Sequence, residues 1–183
     1  MAFTPLPSPS PSASASDPVE LLLLRHGIAE ERGGAIPDAA RALTARGRER
    51  SRAVLQRLLE RDLRAARLLS SPLRRARETA ELALSAGLAP SLELAEALAP
   101  GGDALAALPP WLASLEAPAG VWPRLLLVGH EPDLGSLAAR LIGAPPGSLT
   151  LRKAGLAVLR LPRSAAPGQA SLRLLLSPRL LIG

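Results

Sequence analysis

His26 and His130 are the two histidines of this 183-residue chain, and each stands one residue beyond a run of bulky apolar residues. Leu21–Leu24 leads into Arg25 and His26; Leu125–Val128 leads into Gly129 and His130. A third run, Ala66–Leu69, ends in Ser70 and Ser71 and is soon followed by Arg74 and Arg75. An apolar run that stops abruptly in polar residues is the pattern of a buried strand delivering side chains to a sheet edge. With three such strands parallel and side by side, two imidazoles and two or three guanidiniums meet in one crevice. A guanidinium offers paired donors matched to phosphate oxygens and stays charged at any working pH. A neutral imidazole is a competent nucleophile toward phosphorus, and a second imidazole can donate to the non-bridging oxygens. Phosphoryl transfer asks mainly for positioning and electrostatic stabilisation, and this set supplies both without a metal.

The elements that must position these groups are legible as a rhythm of short apolar runs and longer stretches of helical period, beginning at Val19. The runs are Val19–Leu24, Ala66–Leu69, Leu92–Leu94, Leu125–Val128, Leu156–Leu161 and Leu172–Leu176. After the first, Thr44 can cap a helix with Ser51, Val54, Leu55, Leu58 and Leu59 on one face and Arg46, Arg50, Arg57 and Arg61 turned outward to solvent. A second helix is expected from about Leu73 to Leu84. A third is expected across Ala104 to Leu115, interrupted by Pro109 and Pro110, so that its start is expected near Pro110 with Trp111 or Leu112 inward. The fourth, Asp133 to Ile142, carries Leu134, Leu137, Ala138 and Leu141 on one stripe and stops at Gly143. Strand–helix–strand units of this kind imply right-handed crossovers. The expected class is α/β, a three-layer sandwich with a largely parallel central sheet and helices on both faces. Its ligand crevice lies beyond the carboxyl ends of the strands.

Composition narrows the chemistry. Without cysteine, thiolate catalysis, disulfides and cysteine-ligated metal centres are excluded. The net charge of +6 favours anionic ligands. Lys153 is the only lysine among 22 basic residues, however, and aromatics are 2% of the chain. That is an arginine-rich composition without base-stacking platforms, so nucleic acid is not the expected partner. Residues 1 to 18 are almost all Pro, Ser and Ala and are expected to be a disordered tail, followed by a single domain over residues 19 to 183. No segment reaches the ~18 uninterrupted apolar residues of a membrane span, and no signal-peptide pattern is present. The expectation is a cytoplasmic protein without a membrane partner. Glu131, beside His130, lacks the companion ligands of a metal site, and no cofactor is expected.

The stretches LLLLRHGIAEE, RALTARG, SSPLRRARETAE, LAPGGD, LLVGHEPDLGSLAARLIG, KAGLAVLRL and LLLSPRLL occur in this order over nearly all of residues 20 to 181. Together they resemble the histidine phosphatase superfamily, the phosphoglycerate-mutase-like enzymes, and more specifically the SixA-type phosphohistidine phosphatases. The resemblance implies the phosphoglycerate-mutase-like fold, with His26 as the phosphoryl acceptor and Arg25 as a phosphate clamp. It also implies that the second clamp is the arginine directly before alanine, Arg75, leaving Arg74 as a surface neighbour. His130 completes the catalytic and phosphate-binding set, while Thr44 and Gly47 match a stretch read as the start of a helix. Larger superfamily members place a general acid in an insertion that this chain lacks; the nearest carboxylates are Glu96 and Asp103.

These residues point to a metal-independent hydrolase working through phosphohistidine, with phosphohistidine in a signalling protein as the expected substrate. The alternatives are a phosphatase or mutase of small phosphorylated metabolites, and a phosphate-binding regulatory module that does not turn over.

Overall fold

The computed structural model describes residues 18–33, 36–116 and 121–183. The tail expected over residues 1 to 18 lies outside the described residues except for Pro18, which opens the first strand. Six strands form one sheet: β1 (Pro18–Arg25), β2 (Arg67–Ser70), β3 (Leu92–Leu94), β4 (Arg124–Gly129), β5 (Leu156–Pro162) and β6 (Ser171–Leu176). Their order is β3-β2-β4-β1-β5-β6. The first four pair in parallel, whereas β5 and β6 are antiparallel. The three strands expected to carry the chemistry are therefore immediate neighbours, β2-β4-β1.

Alternation along β1 divides the core. Leu21 and Leu23 face one side, where they pack with Leu108 and Leu112 of α3 (Ala104–Ala113) and Leu134, Leu137 and Leu141 of α4 (Asp133–Ile142). Leu22 and Leu24 face the other, against Val54, Leu55 and Leu58 of α1 (Ala45–Glu60) and Ala76, Ala80 and Ala83 of α2 (Arg74–Ser85). Because both faces are covered, the central strands read as unbroken leucine rather than as alternating sequence. Thr44 caps α1 by accepting from the Gly47 amide.

Two elements differ from the sequence reading. The third helix begins at Ala104 rather than near Pro110 and runs through both prolines. Asp103 accepts from the Ala106 amide at 3.1 Å and starts the helix before the prolines are reached. Leu108 and Leu112, both fully buried and four residues apart, hold it against the sheet beyond them. A short fifth helix, α5 (Pro178–Ile182), follows β6; a proline in its first turn has a fixed φ that suits a helix start. Among the described residues no helix is long and apolar enough to cross a membrane.

Candidate active site

The register of the sheet fixes where the polar strand ends meet. Arg25 stands opposite Gly129, and the His26 amide donates to the Gly129 carbonyl at 3.1 Å. On the other side of β4, Ser70 stands opposite Val128, and the Ser71 amide donates to the Val128 carbonyl at 2.9 Å. His26, His130 and Ser71 are thus the first residues past three hydrogen-bonded strand ends. The two histidines open into a cavity of about 520 Å³ whose lining includes Arg25, His26, Arg75 and His130. All four residues expected to bind phosphate converge there.

Close packing around His26 explains its flanking residues. A Cβ on Gly27 would lie 2.4 Å from Ser51 Oγ of α1, so the residue after the histidine has no room for a side chain. A Cβ on Gly47 would lie 1.9 Å from the Ile28 carbonyl, which lets the first turn of α1 press onto the same segment. The Gly27 amide donates to Thr79 Oγ1 at 3.1 Å, and that hydroxyl donates to the Arg75 carbonyl one turn back at 2.7 Å. Thr79 therefore ties the segment after His26 to the first turn of α2, where Arg75 sits.

Hydrogen bonds select one tautomer of His26. Its Nδ1 lies 2.7 Å from the Gly27 carbonyl, which can only accept, so Nδ1 carries the proton. Arg75 Nε donates to His26 Nε2 at 3.3 Å, which requires a lone pair there. Both contacts leave Nε2 unprotonated, its lone pair turned toward Arg75. His130 lies beside it, with ring centroids 5.1 Å apart. His130 Nε2 is 2.8 Å from Ser71 Oγ, and its buried Nδ1 has no hydrogen-bond partner. Ser71 Oγ also accepts from the Leu73 amide at 3.3 Å, which ties it to the start of α2.

Electrostatics keep both rings neutral. Burial above all, then the neighbouring His130, Arg75 and Arg25 charges, push His26 down to about 3, although the Gly27 carbonyl bond opposes this. Burial likewise lowers His130 to about 4, with Arg75 and Arg25 contributing and Asp38 opposing. Arg25 uses one Nη to donate to the Leu151 carbonyl at 2.8 Å, while its buried Nε has no partner.

Arg75 and Arg74 separate cleanly. Arg75 is 1% exposed and turns toward His26. Arg74 is exposed and pairs with Glu78 one turn along its own helix. Neither Glu96 nor Asp103 lines the cavity: Glu96 starts a 3-10 turn and Asp103 caps α3.

Asp38 was not foreseen. Arg75 donates to its backbone carbonyl at 2.7 Å and to its carboxylate at 3.1 Å, and Arg41 and Arg32 reach the same carboxylate. Burial alone would raise this carboxyl, but the Arg41 hydrogen bond and the Arg75, Arg41 and Arg32 charges outweigh it and hold it below the usual range. Glu131 is also structural: its carboxylate accepts from the Leu151 amide at 3.0 Å, so Arg25 and Glu131 grip the two sides of one residue. Burial pushes Glu131 up, against the Leu151 and Arg25 contacts. Among the described residues no cluster of three or more His, Asp or Glu side chains is arranged to hold a metal ion.

Comparison with known proteins identifies the family and the fold. The family model of the histidine phosphatase superfamily (branch 1) matches residues 21–99. An uncharacterised protein of Picosynechococcus sp. is 41% identical over 167 residues, covering 90% of this chain and 99% of that protein. The structure of the protein histidine phosphatase SixA complexed with tungstate superposes with a TM-score of 0.73 at 28% identity, covering 89% of this chain and 99% of that one. A mycobacterial glucosyl-3-phosphoglycerate phosphatase shares the fold with a TM-score of 0.66 at 19% identity, covering 86% of this chain and 98% of that one. The matching family model and the shared architecture agree: the chain belongs to the histidine phosphatase superfamily.

Proposed function

We propose that this protein is a metal-independent phosphatase that carries the phosphoryl group on His26, and that its substrate is a phosphohistidine borne by another protein. The observation that carries the reading is the tautomer of His26: the protein fixes the proton on Nδ1 and presents a bare Nε2 beside a buried guanidinium. In the first step the Nε2 lone pair forms a bond to phosphorus as the bond from phosphorus to the leaving atom breaks. The Nδ1–H bond to Gly27 holds the positive charge that develops on the ring. Arg75 exchanges its contact with Nε2 for a phosphoryl oxygen, the unpartnered Nε of Arg25 supplies a second donor, and the unpartnered Nδ1 of His130, in the tautomer that carries its proton there, a third. A substrate imidazole that is already protonated leaves as a neutral ring, so it needs no acid from the protein. In the second step water forms the new bond to phosphorus, the bond to Nε2 breaks, and the water's proton passes to solvent.

Two observations support a protein-borne substrate. The connection from β3 to α3, residues 95–103, holds one short 3-10 turn and no insertion that would enclose a small molecule. The SixA protein, similar along nearly its whole length, is a protein histidine phosphatase and binds tungstate, an oxyanion that stands in for phosphate.

Incubation with a radiolabelled phosphodonor should leave an acid-labile, alkali-stable label on the wild type and none on His26→Ala, with turnover reduced by about 10⁴-fold or more. Phosphate release from a phosphohistidine protein should exceed release from a panel of sugar phosphates. Turnover confined to the sugar phosphates would favour a metabolite phosphatase, and phosphate binding without label or turnover would favour a regulatory module.

A further inference from the structure

Next to the phosphate cavity, and sharing Arg25 and Lys153 with it, lies a second depression of about 590 Å³. It is lined by Arg25, Arg50, Arg152, Lys153 and Arg179, and by no carboxylate. These cations come from separate parts of the fold: the end of β1, α1, the segment before β5, and α5. A solvated face of a single helix does not produce such a convergence. Arg50 was expected to belong to such a face together with Arg46, Arg57 and Arg61. It instead turns its Nε into a buried position without a partner, as Arg25 does.

Many arginines elsewhere are matched by acids, among them Arg48 and Arg74 with Glu78, Arg57 with Glu60, Arg67 with Glu93, and Arg124 and Arg160 with Glu20, while among the described residues Arg46, Arg52, Arg61, Arg140, Arg163 and Arg173 are scattered cations without such a partner. Among the described residues none of the five basin cations makes an ion pair. Like charges gathered in one basin repel one another: Arg25 is lowered above all by burial, with the Glu131 carboxylate opposing and the Arg152 charge adding to the effect. Bound anionic oxygens relieve this repulsion, and guanidinium forks suit carboxylate and phosphate alike.

We propose that this basin is a second anion subsite, which holds a carboxylate or phosphate carried by the leaving-group portion of the substrate while the scissile phosphoryl sits over His26. The proposal rests on the phosphatase reading of the neighbouring cavity. It makes Arg25 the divider between the group that is transferred and the group that is only recognised. The anion has two conceivable sources, acidic side chains near a phosphohistidine or a second phosphate on a small molecule.

The test compares wild type with Arg152→Gln/Arg179→Gln, two exposed positions, on matched substrates. These are phosphohistidine peptides with acidic or neutral flanks, fructose 1,6-bisphosphate against fructose 6-phosphate, and p-nitrophenyl phosphate as the single-anion reference. The wild type should prefer the doubly anionic member of one pair by about tenfold in kcat/KM. The double variant should lose that preference, falling much further on this substrate than on p-nitrophenyl phosphate. Preference among the peptides identifies protein acids as the source; preference for the bisphosphate identifies a second phosphate. A preference that survives in the variant, an equal fall on every substrate, or no preference in an enzyme that turns over p-nitrophenyl phosphate would overturn the subsite alone. Absence of both turnover and His26 labelling would remove the phosphatase reading, and the subsite with it.

Discussion

Arg75 is the least exposed charged residue of the cavity, and its guanidinium has contacts in fixed directions: Nε to His26 and both Nη atoms to Asp38. Arg75→Lys keeps the charge but cannot reproduce this fork, so kcat/KM should fall by about 10²–10³-fold. Arg74→Gln, which removes an exposed pair with Glu78, should change kcat/KM by less than about twofold. Steady-state kinetics on the two variants checks both. The imidazoles make a second prediction: in the free protein, NMR should find neither His26 nor His130 titrating between pH 5 and 8, because burial holds them at about 3 and about 4. Inorganic phosphate brings negative charge against both rings and should raise both values. His26 and His130 were legible because each stands one residue beyond an apolar run. Arg75 was not distinguishable from Arg74 by pattern, since adjacent helical residues differ only by about 100° of rotation; the family motif made the distinction. Asp38 was illegible because a loop brings it to Arg75, and nothing in its local sequence marks the contact.

At the scale of elements, the site depends on how closely α1 approaches the end of β1. Gly27→Ala drives a methyl group against Ser51 Oγ and should destabilise the fold by about 1–3 kcal/mol, measured by denaturant unfolding. Ser51 Oγ is buried and has no hydrogen-bond partner, so Ser51→Ala alone should be neutral or stabilising. Combined with Gly27→Ala, it should recover part of the loss. Thr44→Ala removes the cap of α1 and should cost about 1 kcal/mol. Strand positions followed directly from the leucine runs, because strands buried on both faces contain little else. Helix boundaries were legible where a cap or an abrupt break marked them, as at the start of α1 at Thr44 and the end of α4 at Gly143. The third helix was misread because its prolines are conspicuous in sequence, while the compensating contacts, an Asp103 cap and two leucines in the core, exist only in three dimensions.

For the whole molecule, the buried histidines couple the site to stability. Above pH 6.5 they are neutral in folded and unfolded chains alike and contribute no pH dependence. As the pH falls below 6.5, the unfolded chain takes up protons that the folded chain refuses until about 4 at His130 and about 3 at His26. Thermal unfolding should therefore show a midpoint that declines through this window, and phosphate should offset the decline by binding the folded form. The sheet order adds a constraint in time. β1 is made early, yet its hydrogen-bonding neighbours are β4 and β5, with Glu20 opposite Arg124 on one side and Arg160 on the other. On the ribosome the strand that leads into His26 must therefore wait, as a bare leucine-rich segment, until β4 has followed it out. During synthesis this stretch, apolar and with both edges unpaired, is a natural target for a chaperone.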